Sequence, residues 1–451
     1  MNIHLDWSWL FPAICLGLVL LALMVRYPKI WLGVLILALP LYLADTGKGV
    51  SVTESISGGI YTVSLLFWLV WHIGSRKRSI IRSWPDFLLV MFVCLAACNV
   101  VLAKFNGTAL FGWAVDWSFF LLMLYYFPLR EVFGDSETSF KHFMYLCGAS
   151  SVLMAAYTGL HFRNRMAENM VYAYQIVASR SVLLGPFFVI AICIATAVFF
   201  HTQLRGKVLS ALVILINFGA LVLTFTRTLW VFTFICIAII MVFLSARQNI
   251  SLVASVLGLV SVTVIGFYAY SPKLADLGVR LIQRRFTSST QLSGGDRSFE
   301  TRLIEVNNAW RKVKLFPLGG SGLRARFVTW QPIEGWHNDV SFVHIGYVGL
   351  LHKVGFPLAI VMFATLLGFN LQALRNAWAL RKHRDARHYR AVAIGALAFF
   401  PALYVTIFMA GIFDQRYGNV LMAFLFASVA LTGQHVQRIR SQRNQHVASA
   451  Q

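Results

Sequence analysis

The stretch WQPIEGWHNDVSFVHIGYVGLLHKVGFPLAI gathers the side chains best suited to acid–base work: His337, Asn338, Asp339 and His344, just ahead of a long apolar run. A histidine takes a proton from a sugar hydroxyl near neutral pH, which a carboxylate does less readily unless its pKa is raised. Seven residues separate His337 from His344, which puts both on one helix face if the following helix starts early. Interfacial histidines hydrogen-bonded to loop backbone would need the same residues. Glu334, His337 and Asp339 have the types for a metal site. Three ligands crowded into so short a stretch are a common accident, so no metal is assigned.

Arginines supply the second chemistry. Arg227, in TFTRTLWVF, lies between two apolar runs with almost no loop, where a charge is costly unless it sits at the interface or faces a polar cavity. Snorkelling to the interface is one reading. The other is a guanidinium gripping a phosphate, which its planar fork matches. Arg297, Arg302, Arg311, Arg324 and Arg326 surround FPLGGSGL, where Gly319, Gly320 and Gly322 allow a tight turn. Exposed amides in such a turn can receive phosphate, but without a preceding strand a plain loop is the expectation. Asp414 and Arg416, in FDQRYGN, either line the same outer cavity or belong to a helix-connecting turn. GxxxxGK[ST], HExxH and GxSxG are absent, so nucleotide hydrolysis, zinc proteolysis and serine hydrolysis find no support.

These residues need elements to hold them, and composition says which. Of 451 residues 58% are hydrophobic and 12% charged; soluble domains carry about twice that charged fraction. The pattern predicts an all-α polytopic membrane protein of 12–13 spans with one large extracytoplasmic loop carrying amphipathic helices. The spans run roughly over 8–25, 30–44, 58–73, 86–103, 109–127, 142–160, 181–200, 208–226, 228–244, 251–271, 347–370, 391–410 and 418–433. The first lacks a basic n-region and reads as a retained helix. All six cysteines fall in apolar runs, so neither a disulfide framework nor a zinc site is expected.

Basic residues after alternate spans, among them Arg76, Arg82, Arg205, Arg247, Arg381, Arg387, Arg390 and Arg440, set the orientation. The N-terminus is expected in the periplasm, the C-terminus in the cytoplasm, and the loop outside. Three segments follow: 1–271 with ten spans, the loop 272–346, and 347–451 with three spans and a basic tail. The net charge of +22 flanks spans and points to membrane lipids, not nucleic acid. Within the loop, Phe299, Leu303, Val306, Trp310 and Val313 form one apolar stripe, as for a helix on the membrane surface or packed on the bundle.

Together these blocks resemble the O-antigen ligase and polymerase superfamily of bacterial membrane glycosyltransferases, over roughly 180–370. Thr226-Arg227 before an apolar helix, then Arg302, Trp310 and FPLGGSGL, then a histidine before LLxxxG occur in the family's order. The family's His-Asn dipeptide and its glycine eleven residues on are split here: His337-Asn338 keeps the dipeptide, and His344 keeps the spacing, to Gly355. The asparagine inclines the reading slightly to His337.

The resemblance implies an undecaprenyl diphosphate-linked glycan donor, its diphosphate held by Arg227, Arg302 and Arg180. Asn338, Asp339, Arg297, Arg324 and Arg416 are in support. The histidine deprotonates an acceptor hydroxyl, on lipid A-core or another glycan, which attacks with inversion and needs neither metal nor cofactor. One large loop is ligase-like, whereas the smaller loop 161–180 leaves a polymerase of O-antigen or exopolysaccharide open. A flippase of lipid-linked sugars is the rival class, with Asp116 and Lys353 as its deep charges. A non-catalytic scaffold is the third.

Overall fold

The computed structural model describes residues 10–43, 52–76, 79–169, 183–270, 297–331, 336–383 and 385–449, with a few single positions between 276 and 283. Sixteen helices are defined among them: α1 Leu10–Arg26, α2 Pro28–Tyr42, α3 Val52–Arg76, α4 Trp84–Cys98, α5 Val100–Phe105, α6 Leu110–Leu121, α7 Tyr126–Phe133, α8 Glu137–Asn169, α9 Gly185–His201, α10 Leu204–Leu223, α11 Arg227–Val242, α12 Ala246–Tyr270, α13 Arg297–Leu315, α14 Gly346–Leu380, α15 Arg387–Met409 and α16 Arg416–Ser449. A 3₁₀ turn, Leu122–Tyr125, joins α6 to α7.

A helix needs about 20 apolar residues to cross the hydrocarbon layer. Nine described helical stretches are long and apolar enough, and four shorter apolar ones fall at Cys15–Arg26, Pro28–Tyr42, Gly185–His201 and Arg227–Val242. Each of the thirteen predicted spans coincides with one of these, so the all-α polytopic class holds. The ends follow local chemistry. Pro85 opens α4 at a position whose N–H would be unsatisfied anyway, and Asp86 sits in the first turn, where the helix dipole favours an acid. Asp86 is fully buried and answered by Arg130 Nη1 at 2.6 Å and the Tyr126 hydroxyl at 2.8 Å.

The chain forms two compact units: Met1–Ser150, Glu300–Ala379 and Val405–Gln451 make the first, and Ser151–Phe299 with Leu380–Tyr404 the second. In the first, α16 is the central element and packs on α7 and the 3₁₀ turn. Phe426 of α16 stacks on Phe369 of α14 at 4.0 Å, and Tyr126 meets both rings edge-on. In the second, α9 packs along α10 and α11. Asn217 there donates to the Ser151 hydroxyl and the Val213 carbonyl, so its buried amide nitrogen is satisfied inside an apolar bundle.

The loop holds two features of its own. Strand β1 (Phe327–Gln331) pairs antiparallel with β2 (Trp336–Val340), with Trp330 opposite His337. Phe327 and Thr329 turn inward and Val328 and Trp330 outward, the period of two of a half-buried strand. This hairpin was not expected from the sequence.

Helix α13 was expected, but its buried face differs from the apolar stripe. Thr301, Glu305, Ala309 and Val313, spaced by four, are buried, while Leu303 and Trp310 are exposed. Small Ala309 lets the helix close on Phe327 and Val343. The larger apolar residues are left on the outside, the arrangement of a helix at a bilayer surface.

Candidate active site

Helix α13 carries Arg302 and, one turn on, Glu305 on neighbouring positions. Glu305 is buried, its side chain 3% exposed, and its Oε2 lies 2.6 Å from His344 Nδ1. The His344 backbone N–H points at the same oxygen from 3.4 Å. A carboxylate on Nδ1 selects the tautomer with the proton there and directs the Nε2 lone pair away from the pair. The His344 side chain is 41% exposed, so its ring is reachable from outside. A buried carboxylate, an oriented accessible imidazole and a guanidinium one turn away form the parts of a general base beside an anion clamp.

His344 is fixed from the other direction as well. It lies two residues before α14, and α14 is broken at Gly355, where φ is 76° and ψ 176°. Into this break docks the turn Pro317–Gly322. Ser321 N–H donates to the His352 carbonyl (2.7 Å), Gly322 N–H to that of Lys353 (3.1 Å), and Phe356 N–H to that of Pro317 (2.8 Å). Asn99 completes the joint, receiving the Leu323 N–H at 2.7 Å and donating to the Gly319 and Lys353 carbonyls. The glycine turn is therefore a packed structural joint whose Ser321, Gly322 and Leu323 amides are spent on the protein.

Gly355 occupies a conformation open essentially to glycine alone, and a Cβ there would lie 2.5 Å from the Leu318 carbonyl oxygen. Gly355→Ala is expected to cost at least about 1–3 kcal/mol and to lower both the melting temperature in detergent and membrane abundance. Gly219→Ala, in a helix with nothing within 4 Å of the new methyl, is the control and should melt no lower than wild type.

Below the joint lies a buried charge network. Lys353 Nζ is 2.8 Å from Asp116 Oδ2 and 2.9 Å from Asp414 Oδ1, all three nearly inaccessible. Asp116 also receives Arg324 through its backbone N–H at 3.0 Å and its Nη1 at 3.1 Å. Arg324 adopts φ 61°, the left-handed region, to make both bonds. Burial pushes the Asp414 carboxyl above its usual range, against the opposing pull of Lys353.

The other predicted residues fall elsewhere. His337 is exposed on β2 with its ring centroid 5.1 Å from that of Trp330. The following helix does not start early, so His337 and His344 share no helix face. Asn338 Oδ1 accepts from Trp336 Nε1, and Asp339 pairs with Arg326 at 3.2 Å on the exposed hairpin. Arg416 lies over the Tyr42 ring at 5.4 Å. Arg227 opens α11 after Thr226, half-buried, in the second unit. A cation in a first turn opposes the helix dipole, so helix stability does not account for it. Arg297 begins α13, its side chain outside the described residues, as are Arg180 and Glu334. Glu305 escaped the sequence reading; its only signal was a glutamate at the i+3 position from Arg302.

The helices define a polytopic membrane protein, and the loop holds the buried Glu305 paired with His344. Residues 211–363 match the O-antigen ligase family, a stretch that holds Arg227, Arg302, the glycine turn, both histidines and Gly355. The match supports a membrane glycosyltransferase of the O-antigen ligase or polymerase type. No curated protein matches the chain.

Proposed function

We propose that the protein transfers an undecaprenyl diphosphate-linked glycan to an acceptor at the periplasmic face of the inner membrane. A ligase acting on lipid A-core is the first reading. The observation that carries it is the Glu305–His344 pair beside Arg302. His344 Nε2 takes the proton of the acceptor hydroxyl, and the freed oxygen attacks the anomeric carbon. The bond from that carbon to the diphosphate oxygen breaks as the new one forms on the opposite face, inverting the centre. Undecaprenyl diphosphate leaves, its charge stabilised by Arg302, a preference for the transition state over the bound donor. Arg227 enters on the sequence motif, as the second diphosphate contact.

With arginines supplying the charge, transfer by purified protein is expected to continue in a chelator; loss of activity restored by a divalent cation would refute this step. A deletion strain tests acceptor class. Full-length carrier-linked chains should accumulate if the protein is a ligase, and single repeats if it is a polymerase. Asp116 and Lys353, the charges a flippase would use, are bonded to each other. Unchanged surface polysaccharide in the deletion strain would remove the transferase reading altogether.

A further inference from the structure

A different kind of site lies in the second unit, at the ends of α10 and α11 opposite Arg227. There His201 and Thr202 at the α9–α10 connection, Arg247 and Gln248 in the first turn of α12, and Arg387 and Arg390 in the first turn of α15 enclose an open cavity of about 510 Å³. That volume falls within the roughly 300–1,000 Å³ of small-molecule sites. Among the described residues no carboxylate lines it. Arg247 and Arg387 are exposed and make no ion pair among the described residues. Three helices start around the cavity and two end there, so their dipoles largely offset and the guanidinium groups set its charge.

The frame is held in advance of any ligand. Gln248 Oε1 receives the Ser245 N–H at 2.9 Å, and its Nε2 donates to the Phe200 carbonyl at 3.1 Å, tying α12 to the end of α9. His201 Nδ1 donates to the Ala197 carbonyl at 2.7 Å, which fixes that ring. Arginine forks match phosphate oxygens two at a time. The cavity sits where apolar helices end, the level at which a bilayer carries its phosphates.

We propose that this cavity binds a phosphate ester, and that its position at the helix ends makes the anionic headgroup of a membrane phospholipid the natural source. The test uses the full-length protein in detergent, incubated with phosphatidylglycerol or with phosphatidylcholine and weighed by native mass spectrometry. Wild type should retain phosphatidylglycerol in preference to phosphatidylcholine. The double variant Arg247→Glu/Arg387→Glu should retain about tenfold less, a loss of roughly one decade in affinity. Arg440→Glu/Arg443→Glu, which removes the same charge from the exposed tail, should behave as wild type.

Inorganic phosphate supplies the second arm. Should ³¹P NMR show phosphate bound by wild type and not by the double variant, with no lipid preference, the site stands with a soluble ligand. Equal retention by all three proteins, with no phosphate binding, overturns it. If the reversed pair does not elute as a single species, Arg387→Gln replaces it. Undiminished retention in that variant, at wild-type melting temperature, overturns the proposal equally.

Discussion

Alanine at position 344 is expected to slow glycan transfer by about 10²–10⁴-fold, the usual worth of a positioned general base. The magnitude follows from what the ring does that water does not: it is held through Nδ1 by Glu305 at 2.6 Å in a side chain that is 41% exposed, which leaves Nε2 to act as the base. Loss of the imidazole also removes one hydrogen bond from the buried Glu305 carboxylate, so rates must be compared at equal folded amount. Glu305→Gln separates the roles. It keeps the shape, removes the charge and can turn an amide N–H toward Nδ1, favouring the wrong tautomer; a fall of at least about tenfold with the melting temperature little changed is expected. Equal rates for wild type and both variants in a reconstituted transfer assay would leave the pair a structural tie and nothing more.

The largest effect on stability is expected at Lys353. Its ammonium is the shared partner of Asp116 and Asp414, and Arg324 reaches only the first of these. Lys353→Met leaves Asp414 buried without its direct ion-pair partner, with Arg324 acting on it only from a distance. Breaking a buried pair from one side costs about 3–5 kcal/mol, which should show as a large drop in melting temperature and in membrane abundance. The deficit has a definite pH dependence. The Asp414 carboxyl is already held above its usual range by burial, and removing Lys353 raises it further. A carboxyl whose folded pKa is raised favours the folded state when protonated, so the variant recovers toward acidic pH and loses ground as pH rises. A Lys353→Met protein that melts like wild type at every pH would show the network to be dispensable.

Hydropathy alone located the described apolar helices, because a lipid-facing helix must be apolar along its length. The site was legible only in part. Arg302 and His344 stand out as residue types, but Glu305 announces itself through a partner 39 residues away, a separation no local pattern encodes. Lys353 and Asp116 are 237 residues apart and read in the sequence as isolated charges. The choice between the histidines turned on the same limit. The Asn338 beside His337 inclined the sequence reading to a residue that lies on the exposed hairpin, whereas His344, with the spacing to Gly355, is the histidine that meets Glu305. That spacing sets the distance from the segment carrying His344 to the break in α14 where the glycine turn docks. The stripe of α13, read as facing either the membrane surface or the bundle, did not mark the buried face, because an amphipathic helix at a bilayer has two apolar partners and its larger side chains need not face the protein.

The most direct measurement compares His344→Ala with His337→Ala in a deletion strain, each at wild-type membrane abundance, by the ladder of surface polysaccharide on a gel. No ladder is expected for His344→Ala, with carrier-linked glycan accumulating, and a wild-type ladder for His337→Ala. A normal ladder from His344→Ala, or its loss from His337→Ala alone, would contradict the assignment of His344 as the base.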